Sequence, residues 1–332
     1  MNYRRIALVG TILLFFHSVS WANNNLVAGG GASPSTWEIR NSSGGFVSGG
    51  NLNASRSNHC GVKLTTGNVF LAGGTVSPST WEIRGSSGAF VSSGSVNVTR
   101  DLAFTCTLLS SGNVLIAGGQ ASAGTWEIRN SSGGLVSSGS LWASRLGHTA
   151  TLLSSGNVFI AGGSASGSTW EIRNSSGGLV STGTLWASRN GQCDVLLSSG
   201  NVFLVGGSNS AATWEIRNTT GGLVSNGSLT NTRQDSFTCN KFSNGNVFIA
   251  GGNPNSTSWE IRDGSGGAVS SGSLQATRYD HRAEVQTDTG NVLIIGGGGS
   301  SNTWELRSTT GALVSNGTLN NTRSGGHSQT QY

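Results

Sequence analysis

A five-residue segment, Thr-Trp-Glu-Ile-Arg or a close variant, returns seven times and places tryptophans at Trp37, Trp81, Trp126, Trp170, Trp214, Trp259 and Trp304. Successive gaps are 44, 45, 44, 44, 45 and 45 residues. A period of this length marks one supersecondary unit stacked on copies of itself. Each unit also carries an apolar run closed by a glycine pair, from Gly29-Gly30 in the first to Gly296-Gly297 in the last. Each has one arginine after a Ser/Thr-rich stretch: Arg56, Arg100, Arg145, Arg189, Arg233, Arg278 and Arg323.

The unit that begins at Arg145 shows what repeats. Leu146 to Leu153 reads as a first strand, and Ser154-Ser155-Gly156-Asn157 as a hairpin turn in which Gly and Asn supply positive φ. Val158 to Ala161 is a second strand, Thr169 to Arg173 a third, Asn174 to Gly178 another turn, and Leu179 to Leu185 a fourth. Four short antiparallel strands repeated seven times give an all-β chain, a seven-bladed β-propeller. No segment has the length and period of an amphipathic helix, which excludes a helical solenoid. The first unit opens at its second strand, Leu26-Val27-Ala28-Gly29-Gly30, and Arg323 to Tyr332 is a first strand with nothing behind it. The C-terminal strand is therefore expected to complete the N-terminal blade, closing the ring without an exposed inner edge.

Arg4 and Arg5, the apolar run Ile6 to Phe16 and the small residues Ser20-Trp21-Ala22 have the order of a secretory signal. Eleven apolar residues are too few for a membrane span, which takes about 20. Residues 1–22 are read as a leader cleaved near Ala22, residues 23–332 as one domain outside the reducing cytosol, secreted or periplasmic. No later segment is apolar enough to span a membrane. The four cysteines can then pair. Cys60 and Cys193 lie seven residues before their hairpin glycines Gly67 and Gly200; Cys106 and Cys239 lie six before Gly112 and Gly245. Opposite parity sends the side chains of adjacent inner strands toward each other, so Cys60–Cys106 and Cys193–Cys239 are predicted among the three pairings four cysteines allow.

Four apolar residues, a double glycine, a strand with the acidic residue, then Gly-Ser/Thr-Leu and Arg-x-x-His resemble kelch repeats. The nearest flavour is the galactose-oxidase-like bacterial type, and the resemblance covers roughly residues 24–332. Kelch repeats usually carry a tyrosine in the third strand and a tryptophan in the fourth; here Arg173 and Leu179 stand nearest those places. The resemblance implies tyrosine and histidine ligands for copper in an enzyme of that class, yet past the leader the tyrosines are Tyr279 and Tyr332 alone. His59, His148 and His281 fall three residues after the blade arginine and His327 four after, where kelch repeats place a scaffold histidine. No cofactor and no metal is expected.

Alternation along Thr169 to Arg173 puts Trp170 and Ile172 on one face, as inter-blade core, and Thr169, Glu171 and Arg173 on the other. Each repeat glutamate is expected to pair with an arginine of its own strand or of the connection that follows. Seven Glu and fourteen Arg thus belong to the framework, and a sequence pI near 9.4 is no sign of a nucleic-acid site, which needs a clustered patch. Gly-x-Ser-x-Gly elbows and Gly-Lys-Ser/Thr phosphate loops are absent.

Function must then rest on positions that break the repeat. In the blade-to-blade connections, Trp142 and Trp186 replace the polar residues Asn53, Asn97, Thr230, Gln275 and Asn320 of the other units. They lie in adjacent units near His148 and are candidates to stack on sugar rings or hold an apolar partner. Asp101, Asp194, Asp235 and Asp280 are weaker candidates for acceptors at the channel mouth. The sequence reads as a monomeric, exported, non-catalytic module that binds a glycan or protein. The alternatives are a galactose-oxidase-like oxidoreductase and a purely structural surface protein.

Overall fold

The computed structural model describes residues 23–332; the leader read at 1–22 lies outside them. Seven four-stranded antiparallel sheets form the blades, each ordered inner, second, third and outer strand. Blade 4 is representative: inner strand Thr149–Leu152, second Val158–Ala161, third Thr169–Arg173 and outer Leu179–Thr184. The inner strand is shorter than expected, because Leu146 meets Ser164 only as an isolated bridge. Blade 1 joins the chain ends, its order being Ser328–Gln331, Asn25–Ala28, Thr36–Arg40 and Phe46–Asn51. Leu26 pairs with Thr330 in that closure. Inner strands pack side by side around the axis, and that of blade 1 lies against those of blades 2 and 7. One face of the ring, the entry face, holds the blade-to-blade connections and the loops between second and third strands. The other, the hairpin face, holds the tight turns.

Tryptophan and glycine set the blade spacing. The Trp126 indole lies over Gly139 of its own outer strand and over Gly177 in the turn of blade 4, where a Cβ would land inside the ring. Gly177 has φ +86°, so both the turn and the close approach call for glycine. The same knob and gap recur around the circle, ending with Trp304 of blade 7 on Gly44 of blade 1. Each indole Nε1 donates to its own outer strand, as Trp126 does to Ser140 O at 3.1 Å.

The third strands correct the expected alternation. Trp170, Glu171, Ile172 and Arg173 are all buried, and so are their counterparts in every blade. A middle strand of a sheet packed on both sides has two inner faces, so alternation there separates two buried layers rather than core from solvent.

Both predicted disulfides are present. Cys60–Cys106 joins blades 2 and 3 across Cα atoms 5.9 Å apart, and Cys193–Cys239 joins blades 5 and 6 at 6.0 Å. Two disulfides fit an oxidising compartment outside the cell or in the periplasm. Among the described residues no helix is long and apolar enough to cross a membrane.

One layer of one interface breaks the pattern. At the end of each inner strand an apolar side chain meets a valine of the following blade, as Leu109 does Val158 and Leu153 does Val202. Between blades 7 and 1 these positions are Gln286 and Asn25, both fully buried. Asn25 Nδ2 donates to Gln286 Oε1 at 2.6 Å, and Gln286 Nε2 donates back to Asn25 Oδ1 at 3.3 Å. Gln329 Nε2 donates to the same Asn25 Oδ1 and to Leu293 O, each at 3.3 Å.

Candidate functional site

The repeated charges form a buried frame. Glu171 Oε1 accepts from Arg145 Nε at 3.0 Å and Glu171 Oε2 from Arg173 Nε at 2.9 Å. Arg145 also donates from Nη1 to Gly162 O and Thr169 O, locking the incoming connection onto the blade it enters. The expected pairing is corrected in two respects. Glu171 takes both arginines rather than one, and the second comes from the connection before the blade, not after it. In blade 2 the pair Glu82–Arg84 is within 4 Å and Arg56 acts on Glu82 at longer range. Burial pulls the Arg56, Arg100, Arg233 and Arg323 guanidiniums down to about 10, against the raising effect of their glutamates, so they stay charged at neutral pH. A ligand cannot reach charges held in this way.

The histidines occupy one recurrent slot against the first glycine of each pair. His59 sits at Gly29, His148 at Gly118 and His281 at Gly251; the same slot holds Phe104 at Gly73, Gln192 at Gly162 and Phe237 at Gly206. A position filled by phenylalanine in two blades is a packing position. His59 Nε2 meets Ser328 Oγ at 2.9 Å, His148 Nε2 meets Thr105 Oγ1 at 3.0 Å and His281 Nε2 meets Thr238 Oγ1 at 2.9 Å. Burial and then neighbouring arginines hold all four rings below the ordinary histidine range, His148 at about 3.

The four aspartates separate. Asp101 Oδ1 accepts from Leu102 N and Ala121 N, fastening an entry-face loop. Asp235 accepts from Asn253 Nδ2 at 2.9 Å, and Asp280 is exposed in a left-handed turn with φ +53°. Asp194 and Asp235 lie on inner strands; Asp194 accepts from Thr151 Oγ1 at 2.6 Å, and burial pushes its carboxyl up to about 6.

Trp142 and Trp186 are the large apolar side chains of the entry-face connections, 51% and 49% exposed. Their backbones are fixed: Trp142 N donates to Glu171 Oε2 at 3.0 Å and Trp186 N to Glu215 Oε2 at 2.9 Å. Two broad rings thus stand in solvent on anchored backbone in adjacent connections. His148, grouped with them in sequence, is buried beneath this face and is not part of the same surface.

A different group, outside the residues singled out in the sequence, lies at the hairpin-face end of the axial channel. A cavity of about 420 Å³ is lined by Gly61, Val62, Lys63, Leu108, Glu284, Thr287, Gln329, Thr330 and Gln331. The sequence signal lies beside it: the turn Thr287 to Gly290 is one residue longer than its counterparts, and Gln286 before it stands where other units have leucine, phenylalanine or tyrosine.

The residues do not fit a tyrosine–histidine copper centre. Tyr279 packs on Gly298 at the entry face, whereas Tyr332 is buried at the hairpin face and donates from its hydroxyl to Gly85 O at 2.8 Å. Among the described residues no three His, Cys, Asp or Glu side chains converge as metal ligands.

No protein-family model matches the chain, and no curated protein resembles it closely enough in sequence to count as a relative. Solved structures do resemble it. A functionally unknown protein from Desulfotomaculum acetoxidans superposes with a TM-score of 0.71 at 10% identity, over 93% of this chain and 99% of that one. A streptogramin B lyase gives 0.63 at 11% identity, over 82% and 90%. A fungal alcohol oxidase in complex with copper gives 0.65 at 18% identity over 81% of this chain, which spans less than two thirds of the oxidase, 66%. At these identities the likeness carries the propeller fold and nothing about chemistry.

Proposed function

We propose that the protein is an exported, non-catalytic, kelch-like binding module whose entry face takes a glycan. The observation that carries this reading is the pair Trp142 and Trp186, half exposed on backbone pinned to buried glutamates, where the other five connections present polar residues. An aromatic ring held open to solvent offers a flat apolar face to the C–H side of a sugar ring, and an anchored backbone reduces the entropy lost on binding. The short, uniform loops around it offer shape without a lid, which suits a binding surface better than an enclosed reaction. The rival oxidoreductase reading would need copper ligands that Tyr279, Tyr332 and the slot histidines do not bring together.

The test is a glycan array probed with the wild type, with the double variant Trp142→Ala, Trp186→Ala, and with Asn97→Ala in an equivalent connection. Loss of at least tenfold in the tryptophan variant alone supports the reading. A protein partner retained by both variants, no glycan bound by the wild type, or stoichiometric copper in the purified protein would each overturn it.

A further inference from the structure

The connection that carries Trp186 differs from the one that carries Trp142 in what stands beside the tryptophan. It runs from blade 4 to blade 5 and lies between the entry-face loops of those two blades. Leu185 N and Arg189 N donate to Ser168 O and Gly167 O on one side, and Ser208 N donates to Asn190 O on the other. Between these segments a cavity of about 430 Å³ opens on the entry face, lined by Gly163, Ser164, Ser168, Ser188, Asn190 and Asn209 among others, and by no charged residue. Ser188 is two residues from Trp186, which puts their Cα atoms within about 7 Å of each other.

Two of the lining residues break the repeat. Asn190 follows the blade arginine Arg189, and Asn209 is the second residue after the pair Gly206-Gly207. At the Trp142 connection these positions hold Leu146 and Ala165, and two amides meet in this way at one connection of the seven. The backbone does not call for them. Ala165 adopts φ +68° where Asn209 adopts +73°, and Leu146 makes to Ser164 the bridge that Asn190 makes to Ser208. Among the described residues nothing hydrogen-bonds to the side chains of Ser188, Asn190 or Asn209, and each is at least partly open to solvent.

We propose that this cavity is the polar subsite of the glycan surface and takes an uncharged sugar unit, the next unit of the oligosaccharide stacking on Trp186, an assignment that rests on the glycan reading above. A sugar hydroxyl both donates and accepts. Each asparagine amide offers two donors and an acceptor oxygen, and serine a donor and an acceptor, so the wall can answer neighbouring hydroxyls in either sense. An acidic sugar would find no cation there. Arg189, between Ser188 and Asn190, is fully buried with its Nε on Glu215 Oε1 at 3.0 Å. The Asp235 side chain stands beside the cavity instead, its Cβ 3.5 Å from where a Cβ on Gly191 would lie. Leu146 and Ala165 give the Trp142 side an apolar floor, so the two tryptophans are not equivalent and the polar end of the site is at Trp186.

The test uses substitutions that copy the neighbouring unit, Asn190→Leu with Asn209→Ala. The whole protein is screened on an array of neutral hexose and N-acetylhexosamine oligosaccharides beside uronic- and sialic-acid-bearing ones. The strongest-bound neutral oligosaccharide is then titrated by calorimetry into the wild type, the double amide variant and Trp186→Ala. Neutral oligosaccharides should dominate the wild-type array. The amide variant should bind at least tenfold more weakly, with its near-ultraviolet circular dichroism unchanged. Weaker binding in Trp186→Ala with undiminished affinity in the folded amide variant would overturn the subsite and leave the glycan reading standing. A preference for acidic oligosaccharides would do the same, whereas no oligosaccharide bound by the wild type would overturn both.

Discussion

The interface between blades 3 and 4 and the interface between blades 7 and 1 follow one plan and differ in one layer. Both seat a tryptophan on a turn glycine of the next blade, Trp126 on Gly177 and Trp304 on Gly44. Beneath that knob, blades 3 and 4 close with Leu109 against Val158, whereas blades 7 and 1 close with Gln286 against Asn25. Apolar pairs of this kind are interchangeable: any leucine of the ring would accept any valine. An amide pair is selective, since either amide set against an aliphatic side chain would be buried unpaired, at about 1–3 kcal/mol. The non-covalent closure is therefore the interface with a partner-specific contact, while two of the covalently continuous interfaces carry disulfides instead.

The broadest break in this comparison is to remove the shared part. Trp126→Ala and Trp304→Ala should each lower unfolding free energy by about 3–5 kcal/mol in urea titration. A clearly smaller loss for Trp304→Ala would mean the closure is not packed like the rest. Removing the differing part should cost less. Gln286→Leu alone should lower stability by about 1–3 kcal/mol, leaving Asn25 Nδ2 without its acceptor. Gln286→Leu with Asn25→Val should regain the wild-type value or exceed it, as the apolar interfaces imply. A double variant no better than the single would show that the two amides do not act as a unit.

The smallest effect concerns the slot that is polar at His148 and apolar at Phe104. A buried ring held neutral, with its pKa near 3, takes up no proton in the folded state as pH drops below 6.5, while the unfolded chain does. Its stability contribution is therefore present above 6.5 and is lost as pH falls. His148→Phe should fold and should lose about 1 kcal/mol less than the wild type between pH 6.5 and 5.5. Equal losses in wild type and variant would mean that His148 is charged in the folded protein.

Blade number, strand order and closure were legible in the sequence because a seven-fold period leaves few ways to stack. Val158 to Ala161 and Thr169 to Arg173 are strands over the predicted residues. The disulfides were legible because parity along a strand fixes which side a cysteine faces. Alternation failed for Glu171, since it reports two faces but not what covers them, and here the next blade covers both. The direction of the arginine was illegible for a related reason: Arg145 and Arg189 lie at similar reach in sequence from Glu171, and only three-dimensional stacking chooses between them. At the candidate sites, the tryptophan pair stood out as a change of residue class at an exposed position. The amides buried beside the axial cavity did not, although Gln286 for leucine and Asn25 for valine are changes of the same kind. Each looks minor until the ring brings residues 25, 286 and 329 together.

The tryptophan knob and the glycine gap lie on opposite sides of every blade, which has a consequence for assembly. Each blade is head-to-tail with the next, so the whole ring behaves as a cyclic heptamer whose subunits happen to be threaded on one chain. A contact of this type ends only when its rotation returns to the start. A fragment of three or four blades would carry a vacant gap at one end and a bare indole at the other. Such fragments should associate end to end, into rings where the count reaches seven and into open arrays where it cannot.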